Sequence, residues 1–160
     1  MSFLDYILFG IYPYIAIAIF LLGSLIRFDR EQYTWKSDSS QLLKRGQLRW
    51  GSNLFHIGII GLMFGHAVGL LTPHEVYHAM GLSTELKQLI AMVAGGIMGS
   101  ICLAGVLLLV HRRLTEPRIL ATSTRMDIFI LLWILATLCL GLFSIIISSQ
   151  HMDGSVMLLL

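Results

Sequence analysis

The sequence predicts an all-α integral membrane protein: four transmembrane helices in an up-down bundle, with both the N-terminus and the C-terminus outside, on the periplasmic side. Only 12% of the 160 residues are charged and the mean hydropathy is +0.80, whereas a soluble domain is about one-quarter charged. The composition excludes a soluble enzyme, a secreted disulfide scaffold and a nucleic-acid-binding protein. Four stretches of 21 to 25 residues without a charge can each cross a hydrocarbon core about 30 Å thick as a helix: Tyr6–Ile26, Trp50–His74, Gln88–Val110 and Ile128–Gln150.

The predicted helices cover about residues 4–26, 51–72, 88–110 and 127–148. They must be helical because a backbone in lipid has to satisfy its own hydrogen bonds. Thr72-Pro73 ends the second helix, since proline disfavours helical geometry in the residue before it, and Glu116-Pro117 separates the third helix from the fourth. The intervening segment Arg27–Arg49 is too short for a globular domain with its own core. We therefore predict a single transmembrane domain over residues 1–160.

Lysine and arginine are concentrated on one side of the predicted bundle. Ten of the eleven basic residues fall in segments 27–50 and 111–127, and Lys87 alone falls on the other side. The positive-inside rule places both basic segments in the cytoplasm and both termini outside. We therefore predict a multi-pass protein of the bacterial cytoplasmic (inner) membrane.

Two histidines inside the second predicted helix are the candidate functional residues. Ionisable side chains in hydrocarbon are costly and usually serve a purpose. His56 and His66 are ten residues apart, which is about 15 Å along a helix and about 80° around it. They cannot bind one metal ion together, because side chains that meet on a helix are three or four residues apart. They suit two separate centres, with His56 nearer the cytoplasm and His66 nearer the outside.

Haem is the centre that suits a single imidazole among apolar residues. Zinc needs a cluster of ligands, and the charge-free stretches contain no acidic residue, whereas haem takes one or two axial ligands from the protein. Without a Cys-x-x-Cys-His sequence, the haem is predicted to be b-type. Two alternatives stay open. The histidines can form interhelical hydrogen bonds. The nearby glycines can serve helix packing or leave room for a porphyrin: Gly58, Gly61, Gly65, Gly69, Gly95, Gly96 and Gly99.

Short motifs follow one another along the whole chain. They include Gln32-Tyr33-Thr34-Trp35, Ser52-Asn53-Leu54-Phe55-His56-Ile57-Gly58-Ile59, Gly65-His66, Leu71-Thr72-Pro73-His74, Ala94-Gly95-Gly96, Arg112-Arg113-Leu114 and Gln150-His151-Met152-Asp153-Gly154-Ser155. In these motifs the sequence resembles the gamma subunit, a cytochrome b, of membrane-bound respiratory nitrate reductase. A match in order over essentially the whole chain is far more specific than any single motif.

The resemblance implies two b haems, one on each side of the membrane and each held by two histidines. His56 matches an axial ligand of the haem iron near the cytoplasm, and His66 matches one of the haem iron near the outside. Family members continue past the Gln150–Ser155 motif into a fifth transmembrane helix that carries the two opposing histidines. The sequence ends at Leu160, so we expect a chain that lacks the C-terminal part of the family and these opposing ligands.

The resemblance also implies the activity of a quinol–nitrate oxidoreductase. Family members oxidise quinol near the outer haem, and electrons pass through both haems to a cytoplasmic iron–sulfur beta subunit and then to a molybdenum alpha subunit. The alpha subunit reduces nitrate, so no nitrate-reducing site is expected in this chain. Lys87 matches a family lysine beside the quinol site, where it would hydrogen-bond a quinol oxygen or a haem propionate. The simpler alternative is a lysine that snorkels to water.

A haem-free membrane anchor is the alternative function. Such a remnant fragment would only dock partner subunits, through the cytoplasmic segment 27–50, and would carry no electrons. The haem content of the purified chain distinguishes the two functions. A small transporter fits the sequence less well, because the four charge-free stretches contain no carboxylate that would couple transport, and no discontinuous helix is visible.

Overall fold

The structure is a computed structural model that describes residues 3–31, 33, 43–72 and 74–150. Its regular elements in these ranges are all helical, and two six-residue helices, His74–Ala79 and Pro117–Thr122, follow the second and third long helices. The prediction of an all-α protein with four candidate membrane spans is confirmed, while the outer location of both termini stays a prediction. The spans are the first long helix Tyr12–Arg30, the second long helix Arg45–Leu71, the third long helix Thr84–Thr115 and the fourth long helix Arg125–Ser149.

The chain divides into two compact units, Met1–Asp38 and Ser39–Leu160. The first unit contains the first long helix, which follows a helical turn at Phe3–Asp5 and π-helical turns at Tyr6–Ile11. Pro13 lies in the first turn of this long helix, where the missing N–H would have had no α-helical partner. That residues 1–160 form a single transmembrane domain stays a prediction.

The long helices differ in extent from the predicted spans 4–26, 51–72, 88–110 and 127–148. The first long helix begins at Tyr12, after the π-helical turns, and continues to Arg30. The second, third and fourth begin before the predicted spans, at Arg45, Thr84 and Arg125. The predicted bounds follow the apolar stretches, whereas a helical backbone continues through charged residues until a cap or a proline ends it.

Side-chain caps set the starts of the third and fourth long helices. The Leu86 N–H donates to Ser83 Oγ at 3.2 Å. In the fourth long helix, the Asp127 N–H donates to Thr124 Oγ1 at 3.2 Å, and the Thr124 N–H donates to Asp127 Oδ2 at 2.9 Å. This reciprocal pair is a capping box, which satisfies two backbone donors that the helix itself cannot satisfy.

Glycines bring the second and third long helices into backbone contact. A Cβ added to Gly58 would lie 2.5 Å from the backbone N of Cys102, and one added to Gly105 would overlap the backbone N of Phe55 and lie 2.8 Å from the carbonyl O of Gly51. The contacting residues run in opposite directions along the two helices, which are therefore antiparallel. Packing is the role of Gly58 and Gly105, and we call this pair the glycine contact.

The remaining glycines separate into packed and open positions. Gly61 lies against Met98, and Gly99 lies against Leu142 of the fourth long helix. Of the other candidate glycines, three would place an added Cβ more than 4 Å from any described atom beyond the adjacent backbone of their own helix. The sequence left two explanations open for these glycines, helix packing and room for a porphyrin. Contacts with other helices account for Gly61 and Gly99. Among the described residues, such contacts do not account for the three open positions Gly65, Gly69 and Gly96.

Polar side chains connect the second and third long helices at one end. The Gln47 side-chain amide donates to the carbonyl O of Leu108 at 3.2 Å and lies 3.0 Å from His111 Nδ1. The Arg112 guanidinium donates to the carbonyl O of Leu43 at 2.8 Å, and Arg112 is buried. These contacts of Arg112 hold the ends of the two helices together.

The third and fourth long helices are also antiparallel neighbours. At one end, the Gln88 side-chain amide donates to the carbonyl O and to Oγ of Ser148, both at 3.0 Å. At the other end, Arg113 Nη1 lies 3.6 Å from Asp127 Oδ2. Within the described ranges of the second unit, the third long helix lies between the second and the fourth, which do not contact each other.

Gly105→Ala is expected to destabilise the folded chain by about 1–3 kcal/mol, because the methyl group overlaps the Phe55 backbone. Gly141→Ala is the matched control, since its added Cβ meets no described atom within 4 Å beyond the adjacent backbone of its own helix, and alanine favours a helix over glycine by about 0.5–1 kcal/mol. The free energy of unfolding in detergent measures both changes. Equal effects of the two substitutions would contradict the glycine contact.

Candidate functional site

His56 and His66 lie on an exposed part of the second long helix. Both side chains are exposed, whereas Gly58 is buried against the third long helix. From the helical repeat, His56 points about 160° away from Gly58 and His66 about 80° away from it. The glycine contact therefore turns both imidazoles away from the neighbouring helix, at two depths along one helix.

Each imidazole is held by the carbonyl group one turn before it. The Nδ1–H of His56 donates to the carbonyl O of Ser52 at 2.7 Å, and that of His66 donates to the carbonyl O of Leu62 at 2.8 Å. A carbonyl oxygen only accepts, so the proton of each neutral ring is on Nδ1 and Nε2 keeps its lone pair. A hydrogen bond of this kind orients a metal-ligating imidazole and makes it more basic.

The surroundings of both rings suit a flat apolar group. Phe55 lies edge-on to His56, with the ring centroids 5.3 Å apart. Around His66, Gly65 and Gly69 have no side chain and no described atom within 4 Å of an added Cβ. In the described part of the chain, the hydrogen bonds of both histidines stay within the second long helix.

Lys87 lies near the start of the third long helix. This end of the second and third long helices is opposite to the end next to the basic segments 27–50 and 111–127. The Nζ of Lys87 is 3.8 Å from the ring centroid of Tyr77, and the Tyr77 hydroxyl donates to the carbonyl O of Val68 at 3.0 Å. Val68 is two residues beyond His66. Tyr77 is not among the residues predicted from the sequence, because nothing in the spacing of Tyr77 and Lys87 indicates that they meet.

The remaining candidate ligands do not form a metal cluster. Within the described residues, no three or more His, Cys, Asp or Glu side chains come together. His111 contacts Gln47. His151 lies outside the described residues, and so does most of the loop between the first and second long helices. Two single imidazoles with free Nε2 atoms therefore remain, and they fit the axial ligands of haem better than a site made of several side chains.

A family model described as nitrate reductase gamma subunit matches residues 5–160. The chain belongs to the nitrate reductase gamma subunit family. It is 52% identical over 158 residues to the respiratory nitrate reductase 1 gamma chain of Escherichia coli, with 99% of this chain and 70% of that relative covered. It is 50% identical over 159 residues to the respiratory nitrate reductase 2 gamma chain of the same organism, with the same coverage.

A more distant relative is the nitrate reductase gamma chain of Bacillus subtilis. It is 38% identical over 135 residues, which cover 84% of this chain and 60% of that relative. The matches confirm the predicted family, and together with the four long apolar helices they identify this gamma subunit family member as an integral membrane protein.

The hydrogen bonds predict opposite tautomers for different histidines of the haem-free chain. At mildly alkaline pH, where imidazoles are neutral, nitrogen NMR of the ¹⁵N-histidine-labelled protein should place the proton on Nδ1 of His56 and His66. His111 is the control, because its Nδ1 receives a hydrogen bond from the Gln47 amide and its proton should be on Nε2. A proton on Nε2 of His56 or His66 would contradict the proposed ligand geometry.

Proposed function

We propose that the chain is the membrane cytochrome b subunit of a respiratory nitrate reductase, which oxidises quinol near the outer face of the bacterial inner membrane. The observation that carries the proposal is the pair of exposed imidazoles, each with its Nδ1–H held by a carbonyl and its Nε2 without a hydrogen bond to any described residue. The matched relatives are gamma chains of respiratory nitrate reductase, which supports the same function.

His56 and His66 are the residues that would hold two b haems. Their separation, about 15 Å along the helix, suits one group on each side of the membrane. Bound there, the haems supply a route for single electrons between the two faces. The chain orients each Nε2 through the Ser52 and Leu62 carbonyls. The opposing histidines would come from the fifth helix that the family resemblance implies.

Lys87 is the proposed quinol-site residue. It lies in the first turn of the third long helix, at the end where His66 lies, and an ammonium group donates hydrogen bonds to an oxygen of quinol. Because the outer end of the bundle is otherwise poor in basic residues, Lys87 is the group that would orient the quinol head there. Oxidation of quinol at this end releases its two protons outside, while its two electrons leave toward the cytoplasm.

Polar contacts connect the proposed cytoplasmic ends of the second, third and fourth long helices. This connected end is suited to docking of the partner subunits. Gln47 and Arg112 link the second helix to the third, and Lys44 forms an ion pair with Glu116. A rigid end of this kind holds a docking surface in one geometry. We propose that the iron–sulfur beta subunit docks there and that the molybdenum alpha subunit, beyond it, reduces nitrate.

Substitution of the histidines tests the proposal by spectroscopy. In membranes with the whole complex, His56→Ala and His66→Ala should each remove about half of the b-haem signal in the reduced-minus-oxidised spectrum, because each loses one axial ligand. The double substitution should remove the signal entirely. His111→Ala is the control and should keep it. An unchanged spectrum in the double variant would contradict the proposal.

A haem-free anchor predicts a different result from the same preparation. The unsubstituted chain would then copurify with its soluble partners and contain no b haem. Haem content and partner content, measured on one purified complex, therefore separate the anchor from the electron carrier.

A further inference from the structure

We propose that Tyr77 is a positioning residue that holds the Lys87 ammonium group at the quinol site. The proposal rests on the function proposed above for Lys87 and adds a residue that the sequence did not single out. The Lys87 ammonium lies over the face of the Tyr77 ring, 3.8 Å from its centroid. An aromatic face attracts a cation through its negative quadrupole.

Tyr77 is itself fixed to the helix that carries the histidines. Its hydroxyl donates to the carbonyl O of Val68 at 3.0 Å, and the same carbonyl accepts the Thr72 N–H at 3.2 Å. A carbonyl oxygen has two lone pairs, so the Val68 carbonyl accepts the Tyr77 hydroxyl in addition to the Thr72 N–H. The ring position is thereby linked to Val68, less than one helical turn beyond His66.

Lys87 is fixed at its backbone from the other side. Its N–H donates to the carbonyl O of Ser83 at 3.0 Å, in the capped first turn of the third long helix. Its side chain, in contrast, has four rotatable carbon bonds and would otherwise extend into water. The Tyr77 ring thus joins the end of the second long helix to the cation at the start of the third.

The contact leaves the ammonium able to bind a ligand. An aromatic face occupies one side of the group and accepts no strong hydrogen bond, so N–H donors on the other side stay available for an oxygen. The role of Tyr77 is therefore to reduce the conformations of Lys87 and to keep its donors close to the end of the helix that carries His66. A residue of this kind affects binding of the quinol head more than the chemical step.

Menadiol oxidation by the purified complex measures this effect. Tyr77→Leu should raise the KM about two- to fivefold and change kcat less than twofold, because an exposed cation–π contact has a strength of that order. Tyr77→Phe keeps the ring and should stay within about twofold of the unsubstituted KM. Lys87→Ala is the reference for complete loss of the ammonium group.

A second measurement does not depend on turnover. A water-soluble N-hydroxysuccinimide ester acylates accessible amines, and mass spectrometry of the peptide that contains Lys87 gives the rate. Tyr77→Leu should accelerate acylation of Lys87 at least twofold, since the ring no longer covers it. Lys44, which is paired with Glu116 at the far end, is the internal control and should react at an unchanged rate.

The outcomes separate the inference from the proposed function. A raised KM in Lys87→Ala with neither KM nor acylation rate changed in Tyr77→Leu would overturn the role of Tyr77 and leave Lys87 at the quinol site. An unchanged KM in Lys87→Ala would overturn the quinol role of Lys87 and the positioning role with it. Equal effects of Tyr77→Phe and Tyr77→Leu on the KM would overturn the role of the ring.

Discussion

Direct backbone contact between the second and third long helices determines how the second long helix is rotated about its axis. Gly58 faces Cys102 and Gly105 faces Phe55 at distances that leave no room for a Cβ. With this rotation fixed, His56 and His66 have to point away from the third long helix. A rotation that turned either imidazole into the contact would separate the helices and remove the packing that holds them together.

The same rotation explains why the two histidines have similar local geometry at different depths. Each is bonded to the carbonyl four residues before it, which a helix offers to a suitably oriented histidine. Close packing occupies the face of the helix at Gly58, and the same face is open further along, near His66, at Gly65 and Gly69. Polar contacts at both ends, through Gln47, Arg112 and Gln88, keep the three helices aligned. The middle stays apolar, which suits haem-bound iron in a membrane.

The sequence predicts the number and helical nature of the spans because each span contains a long apolar stretch without a charge. The sequence also indicates His56 and His66 as candidate functional residues, because an ionisable side chain in lipid is costly and usually serves a function. The helix ends are less well predicted, since Arg45 and Thr115 belong to helices that extend beyond their apolar stretches. The capping box of Thr124 and Asp127 can be recognised in the sequence and indicates the start of the fourth long helix.

Contacts between distant parts of the chain could not be predicted from the sequence in the same way. The Tyr77–Lys87 contact depends on the path of the connection between two helices, and periodicity contains no information about that path. The Arg112 contact with Leu43 joins residues 69 positions apart. From the sequence alone, the positive-inside rule is enough to explain Arg112. Its bond to the Leu43 carbonyl can be recognised only in the packed helices.

Imidazole rescue tests the central claim, that Nε2 of His56 binds haem iron, most directly. His56→Gly removes the side chain from the exposed face, and ¹⁵N-labelled imidazole is then added to membranes that contain the complex. The account predicts a lost b-haem signal that returns with imidazole, with ¹⁵N hyperfine coupling to the iron in the electron paramagnetic resonance spectrum. A His56→Gly complex with its full haem signal and no coupling to added imidazole would contradict it.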